Sequence, residues 1–420
     1  MHTDRNRYIS GDEIYFKAYA KVESTGLPSY ISQSFYVALA DTSGNVIKKV
    51  RFPLKSSIGN GNLTIPATLK QGSYRLIAYT SFMQNFDPED CFIQSIRIED
   101  EISFIEGSNS LKKGDRTQLT TAENIDIQLL AEGGNLVAGL KNNIGLCAVT
   151  DKGIPLKLIL ILADENNNVL DTIYTNMAGL GKFNISPESD IDYHVSIIAP
   201  PEYGSKTVSL PKSLKEGIGL RLIDNTKNQL SIVLRSTSKH TEYIKIQLAK
   251  NDNLLCSRDI ELNGIAYPEL TFDNTGSGIG TLTVFKEEEP VAERLVFLDS
   301  DRRLNITCDL EYGAYPVRGK MNLNIKVSDQ LGSPVKAFLS VAIVDSINCI
   351  ASEFAMQDIR YSFWLRSKLK KITPVSVPMM VLNRIGMIDS DLISDIDLLL
   401  LTYGWRKYNP GIADSTQVNY

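Results

Sequence analysis

The sequence contains few of the residues that build metal sites. Its 420 residues include three histidines and five cysteines, and no two cysteines form a CxxC pair. The histidines, His2, His194 and His240, have no second ligand at the spacing of a zinc site. We therefore expect no metal site. We interpret the cysteines, each within an apolar stretch, as buried free thiols rather than a disulfide framework; they are Cys91, Cys147, Cys256, Cys308 and Cys349.

Long apolar runs and an excess of basic residues are also missing. No apolar stretch approaches the roughly 18 residues that a membrane-spanning helix needs. The 44 Lys and Arg residues are scattered and outnumbered by 49 Asp and Glu, which gives a net charge of -5. This balance argues against nucleic acid or anionic lipid as a partner. The first residues lack a secretory signal, and we expect the natural protein to carry an export signal ahead of His2.

Catalytic and cofactor motifs are absent or incomplete. The GSGIG segment from Gly276 precedes a strand pattern, whereas a phosphate-binding loop precedes a helix. Ser340 lies in the strand pattern FLSVAIVD rather than on a nucleophile elbow. The polar loop from Asp164 has Val169 and Thr175 where a calcium loop has Gly and Glu. We therefore expect no enzyme activity, no catalytic residue and no cofactor.

Two acidic clusters have simple structural interpretations. The run Glu287, Glu288 and Glu289 precedes Pro290 and is typical of a solvated hairpin tip, with partner docking as the alternative. A second set of carboxylates is typical of a helix start, where they face the positive end of the helix dipole, with cation binding as the alternative. Its members are Asp389, Asp391, Asp395 and Asp397.

Alternation of apolar and polar residues is the main pattern of the chain. In residues 321–327, Met321, Leu323, Ile325 and Val327 share one face, as in a half-buried strand. Similar Asp-initiated turns recur as DTSGNVI, DKGIPLKL and DQLGSPVKA. These features predict a mainly β fold of tandem immunoglobulin-like β-sandwich domains.

The pattern divides the chain into four predicted domains. We place complete sandwiches at residues 1–100, 101–213 and 214–302, and a partial fourth β-domain at 303–420. Too few strand candidates follow residue 303 for a complete sandwich, so this domain is truncated or completed elsewhere. Helical spacing over about 351–408 predicts a helical insertion.

Several motifs resemble bacterial alpha-2-macroglobulin-like cell-envelope proteins. The segment HTDRNRYISGDEIYFKA is similar to the entry of their second macroglobulin-type domain, with Asp12 in place of the usual Glu. The segments LKQGSYRLIAYT and LLLLTYGWRKYN resemble later stretches of the family. Covalent trapping by a Cys-Gly-Glu-Gln thioester is excluded, because no cysteine has these neighbours. The candidate structural residues of these motifs are Tyr8, Gly11, Phe16, Gly72, Tyr74 and Trp405.

The resemblance implies a macroglobulin-type fold and an extracytoplasmic, outer-membrane-associated location. In that family the array often precedes a carboxypeptidase-regulatory-like domain and a plug domain like those of TonB-dependent receptors. The expected partners are therefore proteins or other domains of the same full-length chain. We expect Trp405 to anchor the helical insertion on a sandwich.

The predicted function is a non-enzymatic structural or protein-interaction array. The alternative is a module that binds a glycan or a protease; an envelope hydrolase is a third hypothesis. A binding face could use aromatic residues of the first domain, although core and cross-strand packing is their simpler role. These residues are Tyr15, Tyr19, Tyr30, Phe35 and Tyr36.

Overall fold

Strands make up more than half of the residues that the structure describes. The computed structural model describes residues 1–100, 125–299 and 304–344, apart from 23–25, 87, 152, 205, 227, 252, 274–275, 312–315 and 317, and also 359, 363–364, 369 and 391–403. Small, almost entirely antiparallel sheets follow one another and pack face to face. The predicted fold class, consecutive immunoglobulin-like β-sandwiches, is confirmed.

The first sandwich packs a three-stranded sheet on a five-stranded sheet. The sheet orders are β1-β3-β6 and β2-β8-β7-β4-β5, and only the pair β2 and β8 is parallel. Alternate residues of β3, Ile14, Phe16 and Ala18, are buried between the sheets, as the period-two pattern predicts. The strands are β1 His2–Thr3, β2 Arg7–Ile9, β3 Glu13–Tyr19, β4 Ser34–Ala40, β5 Val46–Pro53, β6 Ile58–Thr64, β7 Gly72–Thr80 and β8 Phe92–Glu99. Two short 3-10 helices, Phe82–Asn85 and Pro88–Asp90, connect β7 to β8.

The second sandwich has sheets of three and four strands. Their orders are β13-β10-β9 and β12-β11-β14-β15. Strand β10 is buried along nearly its whole length, because its second face is covered as well. The strands are β9 Ile125–Ala131, β10 Asn142–Thr150, β11 Ile159–Asp164, β12 Val169–Tyr174, β13 Leu180–Ile185, β14 Tyr193–Ala199 and β15 Thr207–Ser209, with a 3-10 helix at Pro201–Tyr203.

The third sandwich repeats this plan. Its sheets run β16-β17-β20, with β21 also pairing β17, and β19-β18-β22-β23. Glu287 and Glu288 form the tip between β22 and β23 with φ of +51° and +64°, so the acidic run is the hairpin tip that the sequence predicts. The strands are β16 Ile218–Thr226, β17 Gln229–Ser236, β18 Glu242–Lys250, β19 Asn253–Leu262, β20 Ile265–Ala266, β21 Glu269–Thr271, β22 Gly278–Lys286 and β23 Glu289–Leu298.

The described part of residues 303–420 contains one β-ribbon and one helix. Strands β24 (Asn305–Leu310) and β25 (Leu323–Ser328) form the antiparallel ribbon. The prediction of a strand at FLSVAIVD is wrong for residues 338–344, which pair with no other strand within the described residues. Their backbone contacts the first sandwich instead, where the Lys17 ammonium donates to the Leu339 carbonyl at 2.6 Å. The domain boundaries after residues 100, 213 and 302 remain predictions.

Helix α1 (Asp391–Tyr403) lies within the predicted helical insertion. Ile396, Leu399 and Leu400 share one face of α1, and each is at most 1% exposed. This face packs on β10 of the second sandwich and β23 of the third. The remainder of 351–408 lies outside the described residues, apart from four isolated positions.

Close approach of α1 to β10 depends on Gly145. A Cβ at this position would lie 2.9 Å from Leu401 Cγ and 3.2 Å from the Leu401 carbonyl oxygen. Any larger residue must therefore displace the helix or the strand.

We predict that Gly145→Ala weakens the docking of α1 by about 1–3 kcal/mol, because the added methyl overpacks the contact. Faster hydrogen exchange at residues 396–402 would measure this. Gly219→Ala is the matched control, since its Cβ would lie 3.5 Å from Leu140 Cδ1 at ordinary contact distance. Unchanged exchange in the Gly145 variant would contradict the prediction.

Candidate functional site

The N-terminal motif forms a hydrogen-bond network around the buried Tyr8 side chain. The Tyr8 hydroxyl lies within hydrogen-bonding distance of Asp4 Oδ1 (2.8 Å) and of the Arg5 carbonyl oxygen (2.7 Å). Asp4 Oδ1 also accepts the backbone N–H of Tyr15 at 3.0 Å. Burial, followed by the charge of Asp4, raises the pKa of Tyr8 well above its usual value. These hydrogen bonds therefore join the N-terminal segment of the chain to β3.

The same motif builds the turn between β2 and β3. Gly11 has a φ of +94°, a conformation that a side chain resists. Asp12 Oδ2 accepts the backbone N–H of Ile9 at 3.0 Å and an N–H of Arg5 at 2.9 Å. Asp12 stands where the family that this sequence resembles has Glu. It thus caps this turn and pairs with Arg5.

The other motif residues lie in or beside the core. Phe16 makes edge contacts with the rings of Phe35 and Phe52, at centroid distances of 6.1 and 4.9 Å. Gly72 begins β7, and the half-buried Tyr74 donates its hydroxyl proton to the Lys70 carbonyl at 2.8 Å. Trp405 lies outside the described residues.

The aromatic residues considered for a binding face do not lie on one surface. Tyr15 and Tyr19 point outward from β3, whereas Tyr36 points outward from β4 in the opposing sheet. Phe35 is buried between the sheets, and Tyr30 is 72% exposed in a loop. Tyr79, which the sequence did not single out, stacks on Tyr36 instead, with centroids 5.6 Å apart.

A buried carboxylate sits at the junction of the second and third sandwiches. Glu132 follows β9 and is 4% exposed. Its oxygens accept the backbone N–H of Leu222 at 2.7 Å and an amide N–H of Asn143 at 2.6 Å. Leu222 belongs to the third sandwich and Asn143 to the second, so this one side chain joins both. Burial raises the pKa of Glu132, although the charge of Arg294 opposes that rise.

Arg294 extends this cluster to helix α1. Its Nε lies 2.8 Å from Glu132 Oε1, an ion pair without an aligned hydrogen bond, and its Nη2 donates to Asp397 Oδ2 at 3.0 Å. Burial acts to lower the pKa of Arg294, but the two carboxylates outweigh burial and the net shift is upward. Asp397, predicted as part of a solvated helix start, is therefore an ion-pair partner; the side chains of the other three aspartates lie outside the described residues.

A cluster of apolar residues lies beside this ion pair at the same junction. It combines residues of the second sandwich, the third sandwich and α1, among them Cys147, Leu180, Leu295 and Leu399. Trp364 packs on Phe297 at a centroid distance of 5.7 Å. Trp364 thus contacts β23, whereas the anchoring role expected of Trp405 stays a prediction because Trp405 lies outside the described residues.

No metal site is evident in the described part of the chain, where no three His, Cys, Asp or Glu residues lie close enough to share an ion. Asp164 instead caps its hairpin turn by accepting the backbone N–H groups of Asn166 and Asn168, each at 2.9 Å. Cys91 and Cys147 are buried as expected, whereas Cys256 is partly buried and Cys308 is exposed. Cys349 lies outside the described residues. The expectation failed for Cys308 because both faces of its ribbon are open.

One cavity of about 490 Å³ lies beside the turn between β16 and β17. Among the described residues, its lining offers amides and hydroxyls with a single carboxylate, whereas glycoside hydrolysis uses two. The lining residues are Asn225, Thr226, Asn228, Gln229, Thr271, Phe297 and Asp299.

In the part of the chain that the structure covers, no helix is long and apolar enough to span a membrane.

Comparison with known proteins returned structural neighbours only. No protein-family model and no curated protein matches the chain. The crystal structure of a Salmonella alpha-2-macroglobulin mutant covers 77% of this chain and 24% of its own, at 14% identity and a TM-score of 0.20. The native conformation of the E. coli alpha-2-macroglobulin matches 78% of this chain and 24% of its own length, at 11% sequence identity and a TM-score of 0.19. Domains 4–9 of the surface layer protein SbsC match 76% of this chain and 48% of their own length, at 9% sequence identity and a TM-score of 0.22. The chain thus spans about a quarter of the macroglobulins that it matches.

We predict that Tyr8→Phe destabilises the first sandwich by about 1–2 kcal/mol, because buried acceptors lose their donor. Hydrogen exchange in β2 and β3 would report the loss. Tyr243→Phe is the control, since Tyr243 is 74% exposed. Equal exchange in the two variants would refute a structural role for the Tyr8 hydroxyl.

We predict that Arg294→Met destabilises the junction by about 3–5 kcal/mol, because it leaves the Glu132 carboxylate buried without its cation. The double variant Glu132→Gln, Arg294→Met should recover part of the loss, since the buried charge is then removed. Calorimetric unfolding measures both effects.

Lys245→Met is the control for this pair of variants. Its partner Glu288 is 81% exposed, so the loss should stay within about 0.5 kcal/mol. A change in Arg294→Met no larger than in this control would show that the buried cluster does not hold the junction.

Proposed function

We propose that this chain is a non-enzymatic scaffold whose β-sandwiches hold protein-binding surfaces at fixed positions outside the cytoplasm. The observation that supports this most directly is the Glu132–Arg294–Asp397 cluster, which joins two sandwiches and α1 through buried charges. A catalytic centre would place its buried charges around a cleft. Here they lie at a packed junction.

The junction favours a rigid connection. Separation of the sandwiches would expose the apolar residues that α1 covers and would break the bonds of Glu132 to Leu222 and Asn143. Interfaces within a chain permit domain motion unless they are large and apolar. This junction is apolar around a paired charge, which resists such motion.

The C-terminal part of the chain also contacts the first sandwich. His2 Nδ1 lies 2.7 Å from Ser340 Oγ, and the Lys21 ammonium donates to the Phe363 carbonyl at 2.6 Å. Residues beyond 337 therefore contact all three sandwiches. Such contacts suit a scaffold with a fixed curvature better than a string of freely jointed domains.

The location follows from the motif resemblance. The N-terminal segment and LLLLTYGWRKYN resemble macroglobulin-like envelope proteins, which supports an extracytoplasmic, outer-membrane-associated scaffold. Its partners would then include carboxypeptidase-regulatory-like and plug domains of the same full-length protein. Fractionation of the producing bacterium tests this proposal: recovery of the natural protein in the cytoplasm would refute it.

We predict a single narrow distance distribution between spin labels at Thr172 and Ser257, which lie on exposed positions of the second and third sandwiches. The labels are placed after replacement of the five native cysteines and are measured by pulsed electron resonance. A label pair at Thr172 and Lys182, within one sandwich, gives the reference width. Arg294→Met should broaden the distribution. A broad distribution in the parent protein would refute the rigid scaffold.

A further inference from the structure

The outward face of the five-stranded sheet carries a row of aromatic and basic residues. Arg51, Tyr36 and Tyr79 lie opposite one another on β5, β4 and β7. Residues opposite one another in antiparallel strands point to the same face. In the next row, Lys49 and Ile77 flank Ala38.

Basic residues continue across the same face. Arg75 lies opposite Ala40 and Ser95, and Arg97 lies opposite Ser73. Strands are about 4.8 Å apart and alternate residues about 6.8 Å apart, so the four cations span a diagonal of roughly 25 Å. The cationic face, as we call it, consists of Tyr36, Lys49, Arg51, Arg75, Tyr79 and Arg97.

The two tyrosines and Lys49 form one packed unit. The rings of Tyr36 and Tyr79 are tilted by 27°, and the Lys49 ammonium lies 4.6 Å and 5.2 Å from their centroids. A hydrogen bond with the Tyr79 hydroxyl raises the pKa of Lys49. Arg51 is also oriented, because its Nε donates to Ser34 Oγ at 2.9 Å.

Among the outward positions of the described strands, cationic residues outnumber carboxylates. Among the outward positions of these described strands, the one carboxylate is Glu99. Glu99 is 7% exposed and accepts hydrogen bonds from Nε and Nη2 of Arg7. The Arg97 side chain, which also contacts Glu99, remains 51% exposed. An exposed cationic surface thus lies on a chain whose net charge is -5.

We propose that the cationic face is the docking surface for an acidic segment of a partner protein, which deepens the proposed scaffold function and rests on it. Carboxylates match the guanidinium groups of Arg51 and Arg75, which can hold them by paired hydrogen bonds. Tyr and Arg are among the residue types that dominate protein interfaces, and here they flank the partly exposed Ile77.

The other polymer classes fit less well. Sugar recognition needs an open aromatic ring, but the rings of Tyr36 and Tyr79 stack on each other and against Lys49. A nucleic acid backbone presents closely spaced phosphates, whereas the apolar Ile77 lies between Arg75 on its own strand and the row that holds Lys49. An acidic peptide with apolar residues between its carboxylates matches both features.

The probe is a fluorescent ten-residue peptide of alternating Glu and Leu, measured by fluorescence anisotropy with the full 420-residue chain at low salt. We expect binding that weakens with added salt. The double variant Arg51→Glu, Arg75→Glu should weaken it about tenfold, because two attractive charges become repulsive. Circular dichroism of each variant verifies the fold.

The matched control reverses two charges elsewhere. The variant Lys157→Glu, Lys182→Glu has the same net charge as the variant with Arg51 and Arg75 reversed. Both lysines are exposed on the second sandwich. This variant should bind the peptide as the parent does. Equal weakening in both double variants would overturn the proposal, because long-range charge would then account for binding.

Three further results would also overturn the proposal. They are no binding of the Glu-Leu peptide, equal binding of a Gln-Leu peptide, and equal or tighter binding of polygalacturonate or a thymidine oligonucleotide. The spin-label distances between the second and third sandwiches do not depend on the cationic face. A rigid scaffold without peptide binding would therefore refute the docking surface alone.

Discussion

The buried guanidinium of Arg294 is the constraint on which the junction depends. A charge removed from water costs several kcal/mol unless partners surround it. Arg294 obtains them from two different elements, Glu132 beside β9 and Asp397 on α1. Glu132 in turn needs N–H donors from both sandwiches. No single domain completes the set, so the second sandwich, the third sandwich and α1 stabilise one another cooperatively.

The same constraint explains why α1 binds where it does. Its apolar face could pack on many strand surfaces, but Asp397 specifies the one that presents Arg294. Gly145 then sets the depth of the contact, since a Cβ there would meet the Leu401 backbone. Leu399 and Leu400 supply the apolar burial. Charge selects the site and apolar packing stabilises it, which is the usual division between specificity and affinity.

Sequence patterns predicted the sandwiches because their cause is local. Each strand buries alternate residues, as β3 does with Ile14 and Phe16, so the period is visible in the sequence itself. The Arg294–Asp397 pair spans 103 positions and has no local signature. Nor could the pairing of Tyr36 with Tyr79 be read from the chain, because it depends on which strands become neighbours. Local order was thus predictable, whereas contacts between strands and between sandwiches required the tertiary structure.

Several surfaces on one chain change what a weak docking surface can achieve. The cationic face is the outward surface of a sheet, and exposed charges of this kind each add little binding energy. If sandwiches were freely jointed, several weak contacts to one partner would each cost orientational entropy. The Arg294 cluster fixes the second sandwich against the third, whereas the cationic face lies on the first sandwich, so the cluster does not itself orient that face. The C-terminal part of the chain is what contacts the first sandwich, through Leu339, Ser340 and Phe363. Once one surface of the proposed scaffold holds a partner, any further contact to the same partner is effectively intramolecular, so several weak surfaces on one chain can retain a partner that none retains alone.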